Sequence, residues 1–81
     1  MKIRVRLFAV AKQAAGRDWV DLDLAEGATI AHLRSQIGTH VPQLSGLVRQ
    51  MMFAIDTKYA ADATSIPPNG EVACIPPVSG G

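Results

Sequence analysis

Three kinds of group in this chain of 81 residues could take part in chemistry: the thiol of Cys74, the imidazoles of His32 and His40, and the carboxyl terminus at Gly81. A thiol becomes a working nucleophile only in an exposed, electropositive setting. Cys74 stands among Val72, Ala73 and Ile75, an apolar stretch that predicts a buried small hydrophobe. As the single cysteine it also leaves no internal disulfide and no multi-cysteine zinc framework. His32 and His40 are eight positions apart, whereas ligands on one helix face fall three or four apart, and no third ligand is near. They read as solvated or capping side chains, and no metal is expected. The terminus is a different kind of group. Gly80 and Gly81 lack a Cβ, so they form the thinnest peptide a chain can make and accept any backbone angle. Pro76 and Pro77 before them have no N–H and a fixed φ, which predicts an extended course for residues 76–81. Six such residues reach roughly 20 Å. The expectation is an end that enters a narrow slot in a partner, with the Gly81 carboxylate as the working group and Gly80, Ser79 and Val78 inserted behind it.

A tail of this kind needs a folded body to present it. Residues 2–8 alternate, with Lys2, Arg4 and Arg6 on one side and Ile3, Val5 and Leu7 on the other, the period of a strand with one buried face. Phe8 breaks the alternation and is expected to join Pro76 and Pro77 in an apolar docking surface at the tail root. Residues 9–15 are Ala-rich and predict a short helical turn closed by Gly16. Residues 18–24 alternate again, and pairing them antiparallel with the first strand sets Asp21 and Asp23 against the basic face. Trp19 falls on that polar face, either as an interface anchor or as cover for the sheet edge.

Thr29 predicts a helix N-cap, Ile30, Leu33 and Ile37 form one apolar stripe, and Gly38 is placed to end the helix. Pro42 and Gly46 make residues 39–50 an irregular connection, with a turn of helix expected around residues 44–48. Residues 51–55 and 58–60 read as strands about a turn at Asp56-Thr57, with Met51 and Met52 as strand-entry packing. Pro67-Pro68-Asn69-Gly70 is a further turn, and residues 71–75 form the last strand. The order is α+β with one main helix on a sheet, and it suggests a β-grasp in which the first and last strands lie side by side. The domain is expected over 1–75 and the tail over 76–81.

Composition narrows the function classes. A chain this short holds one modest core, which suits a carrier, adaptor or subunit better than a self-sufficient enzyme. Net charge is +1 with no basic block, so no nucleic-acid partner is expected. No apolar run nears the roughly 20 residues needed to cross a bilayer, so no membrane partner is expected either. The start MKIRVRLFAVA does not have the form of a signal peptide, which makes the cytoplasm the expected location.

The ending from Gly70-Glu71-Val72-Ala73 through Pro76-Pro77-Val78-Ser79-Gly80-Gly81 resembles the molybdopterin synthase small subunits, a family of ubiquitin-like sulfur carriers. Val5 to Ala9 with Ala14, Ala15 and Gly16, Thr29-Ile30 with Leu33-Arg34, and residues 53–55 are similar to the family's first strand and turn, helix start and middle strand. The chain departs from the family pattern at Ile55-Asp56 and at Pro68-Asn69-Gly70, both in turns. The resemblance implies a ubiquitin-like β-grasp fold and no stably bound cofactor. It implies an activating partner, a ubiquitin-activating-type adenylyltransferase that binds nucleotide and uses ATP to adenylate Gly81. Sulfur then displaces AMP to leave a terminal thiocarboxylate. The implied second partner is the large subunit of molybdopterin synthase, in a heterotetramer that builds the dithiolene during molybdenum cofactor biosynthesis. A sulfur carrier for thiamine thiazole or a sulfur amino acid, a protein modifier that joins lysines, and a plain interaction domain stand as alternatives.

Overall fold

Alternation in the first strand survives folding intact. In the computed structural model of the protein, which describes residues 1–77, β1 (Lys2–Leu7) buries Ile3, Val5 and Leu7 and exposes Lys2, Arg4 and Arg6. The chain then makes α1 (Ala9–Ala15), which ends on Gly16 at φ 72, the left-handed cap that glycine adopts without a Cβ penalty. β2 (Trp19–Asp23) returns antiparallel to β1, placing Lys2 opposite Asp23, Arg4 opposite Asp21 and Arg6 opposite Trp19. Arg4 and Asp21 meet at 3.3 Å, but both are exposed, so the pair adds only about 0.2–1 kcal/mol.

The main helix α2 (Ile30–His40) begins at Thr29, whose Oγ1 accepts from the His32 N–H while His32 Nδ1 accepts from the Thr29 N–H at 3.0 Å. This is a reciprocal capping box in which an imidazole replaces the usual Glu or Gln. Ile30, Leu33 and Ile37 are fully buried, as the stripe predicts. Gly38 does not end the helix. It lies outside the left-handed region, and a Cβ there would make only an ordinary 3.5 Å contact with Val48. The helix stops at Val41 (φ −124, ψ 82) because the ring of Pro42 clashes with a helical residue before it.

The connection that follows holds two short 3₁₀ turns, Pro42–Leu44 and Val48–Gln50, rather than one turn over residues 44–48. Arg34 fastens it. One guanidinium nitrogen donates to the Val48 and Met51 carbonyls at 2.7 Å each, the other meets Asp62 at 2.8 Å, and the group lies over the Phe53 ring at 5.0 Å. β3 (Met52–Ile55) and β4 (Lys58–Ala60) form a hairpin whose two turn residues, Asp56 and Thr57, both have positive φ (48 and 73). Such a turn matches the strands' own twist. β5 (Val72–Ile75) completes a five-stranded sheet in the order β2-β1-β5-β3-β4.

β5 runs parallel to β1 and antiparallel to β3, so the first and last strands are indeed neighbours. One sheet face, with Val5, Leu7, Phe53, Val72 and Cys74, shares a single core with Ile30, Leu33 and Ile37 of α2. The other face carries the exposed residues of β1 to β5. No helix among the described residues is long and apolar enough to cross a membrane.

Candidate functional site

The site is the end of the molecule where β5 delivers the chain into Pro76 and Pro77. Two turns fix the start of that strand. The Glu71 N–H donates to Asp56 Oδ1 at 2.9 Å, and the Asp56 N–H donates to the Glu71 carbonyl at 2.9 Å. Gly70 donates to the Pro67 carbonyl at 3.0 Å, and a Cβ on it would lie 2.7 Å from the Pro67 ring. Any Cβ there would force the Pro67 ring to shift.

Along β5 the side chains divide by parity. Val72 and Cys74 enter the core, while Ala73 and Ile75 face outward at half burial. At the far end, Leu7 is the register partner of Cys74, the Phe8 N–H donates to the Cys74 carbonyl at 3.3 Å, and Met52 is the partner of Ile75. The chain therefore leaves the sheet between Phe8 on one side and Met52 on the other, with Pro76 half-buried and Pro77 exposed. Phe8 is 38% and Met52 42% exposed, and Val10, two residues further into α1, is 43% exposed. Only Tyr59, opposite Ala54 on the same outer face, is a larger exposed apolar surface among the described residues.

Phe8 thus stands beside the end of β5, the strand that leads into Pro76 and Pro77, and Met52 flanks that end from β3. The methionine pair splits: Met51 is buried at 3% exposure, while Met52 belongs to the surface. The alternation of residues 52–54 held that signal, since burying Phe53 turns Met52 outward. The predicted tail residues Val78, Ser79, Gly80 and Gly81 lie outside the described residues.

Cys74 has no accessible surface, and burial pushes its thiol up to about 11, opposed only in part by the positive charge of Arg34. It is a protonated core residue, not a nucleophile. His32 is occupied in the α2 cap, and His40 Nδ1 lies 3.1 Å from the Gln36 carbonyl of its own helix. No group of three or more His, Cys, Asp or Glu among the described residues could hold a metal ion. Trp19 lies half-buried on the outer face of the edge strand β2, with the guanidinium groups of Arg4 and Arg6 over its ring at 4.8 and 5.4 Å.

A mixed sheet with parallel first and last strands, one main helix across one face, and a proline-led exit from the central strand defines a ubiquitin-like β-grasp protein. SAMP1 from Haloferax volcanii has this fold, with a TM-score of 0.86, 25% identity and coverage of 100% of both chains. Residues 5–81 match the ThiS family, and the chain belongs to it. It is similar to the "Molybdopterin synthase sulfur carrier subunit" of Chlamydomonas reinhardtii, at 34% identity over 100% of both chains. The protein of the same name from Caenorhabditis elegans is 32% identical, over 100% of this chain and 99% of its own.

Proposed function

We propose that the chain is the sulfur-carrier subunit of a molybdopterin synthase and that its working group is the Gly81 carboxylate. The observation that carries this reading is the likeness to relatives that bear that name, which runs over essentially the whole of both chains. The geometry agrees with it. A central strand ends in two prolines beside exposed apolar side chains, which suits a body that presents a tail.

The chemistry follows from the weakness of a carboxylate as an electrophile. An activating partner joins the Gly81 carboxyl oxygen to the α-phosphorus of ATP and releases pyrophosphate, giving an acyl adenylate. A persulfide sulfur attacks the acyl carbon and expels AMP, giving an acyl disulfide to the sulfur donor; a second thiolate then attacks the donor-side sulfur, forming a disulfide there and releasing the thiocarboxylate on Gly81. The tail then enters the large subunit, where the sulfur passes to the pterin precursor. This chain contributes the reagent and its delivery. Pro76 and Pro77 limit the directions in which the tail leaves, so less entropy is lost when a slot captures it. Because Cys74 is enclosed and protonated, it does not compete for sulfur.

A second reading is favoured by the likeness to SAMP1, a small archaeal modifier protein: the same activated Gly81 would be joined to lysine amines. Reconstitution separates the two. With the large subunit, the activating enzyme, ATP, a sulfur source and the pterin precursor, the full chain forms the dithiolene product. A chain lacking Gly81, or carrying one residue after it, forms none while keeping its circular dichroism spectrum. Full product from either variant, or lysine-linked conjugates in place of product, would overturn the first reading.

A further inference from the structure

On the outer sheet face, Arg6 is the one basic residue of β1 whose register partner on β2 is not a carboxylate. β1 offers Lys2, Arg4 and Arg6 across from β2, where Asp23 faces Lys2 and Asp21 faces Arg4, but Trp19 faces Arg6. Arg4 closes an ion pair with Asp21 at 3.3 Å. Arg6 has no carboxylate within ion-pair distance among the described residues. Instead its guanidinium stands 5.2 Å from the centre of the Phe8 ring and 5.4 Å from that of Trp19. Two aromatic faces therefore hold an exposed arginine in place, with its five N–H donors unspent on protein carboxylates.

The position of this stack matters as much as its chemistry. Arg6 is the register partner of Ala73 on β5, one strand spacing from the strand that carries the tail, and Phe8 belongs to the rim around the exit. A protein that swallows the tail must lie over this rim. It then takes Arg6 out of water, which is costly unless the covering surface supplies a negative partner.

We infer that the Trp19–Arg6–Phe8 stack is a recognition element for the protein that accepts the tail, the large synthase subunit, and that this partner presents a carboxylate to the Arg6 guanidinium. The inference rests on the reading under Proposed function and adds to it the chemistry of the contact. The rings hold the planar fork where a carboxylate can take two parallel N–H bonds, which lysine cannot offer.

The test is calorimetric titration of the large subunit with the full-length chain and with Arg6→Met and Arg6→Lys variants, at two salt concentrations. Arg6→Met keeps the apolar stem and removes the charge, and it is expected to weaken binding about thirtyfold or more and to flatten the salt dependence. Arg6→Lys is expected to fall between it and the parent. Urea midpoints of the variants are expected to fall only slightly below the parent, since Arg6 is exposed and gives up only its contacts with the two rings. Binding by Arg6→Met within twofold of the parent would overturn the inference and leave the sulfur-carrier reading standing, because the docking surface would then be purely apolar. No binding by the parent chain would overturn both.

Discussion

Cys74 is the other place where this chain could carry sulfur, so its inertness is the sharpest consequence of the geometry. The side chain lies in the core register between Leu7 and Phe53 with no accessible surface. Cys74→Ala removes one enclosed sulfur and is expected to cost about 1–2 kcal/mol, the loss of a buried group plus a small void. Cys74→Ser keeps the volume but buries a hydroxyl among apolar neighbours, and is expected to cost about 2–3 kcal/mol. The thiol gives a pH signature as well. Burial raises it from 9.0 to about 11, so the folded state holds its proton where the unfolded chain has lost it. Stability from this group is full below pH 9 and falls as pH rises from 9 to about 11, by at most about 2–3 kcal/mol. Urea unfolding followed through Trp19 fluorescence at pH 8, 9 and 10 should show this fall in the parent and not in Cys74→Ala. The native thiol should resist DTNB until the chain unfolds, and Cys74→Ala should donate sulfur as the parent does. Stoichiometric labelling of the native protein within seconds, or loss of sulfur transfer in Cys74→Ala, would refute the reasoning.

Substitutions at three further positions probe the scaffold by urea denaturation. Arg34→Ala strips the Val48 and Met51 carbonyls of their donor and leaves Asp62 unpaired, for an expected loss of about 2–4 kcal/mol, with Arg34→Lys recovering part of it. Gly70→Ala drives a Cβ against the Pro67 ring, where 2.7 Å of space is too little, and is expected to destabilise by about 1–3 kcal/mol. Thr57→Gly relieves a β-branched residue at φ 73 and is expected to stabilise by up to about 1 kcal/mol.

Much of this arrangement is legible in the sequence. Period-two patterning in residues 2–7 and 19–23 set both the strands and their facing charges, because one buried face leaves a single register. Thr29 and the stripe of Ile30, Leu33 and Ile37 marked the main helix, and the apolar neighbours of Cys74 marked its burial. What escaped was decided by contacts distant in sequence or by uncommon partners. Nothing in the spacing around Arg34 marks its partners, and it spans to Val48, Met51 and Asp62. His32 completes the helix cap with Nδ1, a role sought in Glu or Gln. Gly38 stayed helical, since Pro42 was the true stop. Arg6 read as one tooth of a basic strand face until pairing showed that its neighbour across the sheet was an indole rather than a carboxylate.

The central claim is that sulfur rides on the last main-chain carbon. Its most direct test is accurate intact and fragment mass spectrometry of the full-length protein after incubation with the activating enzyme, ATP and a sulfur source. The account predicts replacement of one oxygen by sulfur in the fragment ending at Gly81, with ATP required and Cys74 unmodified. Sulfur found on Cys74, or an unchanged Gly81 under conditions where the pterin product still forms, would contradict it.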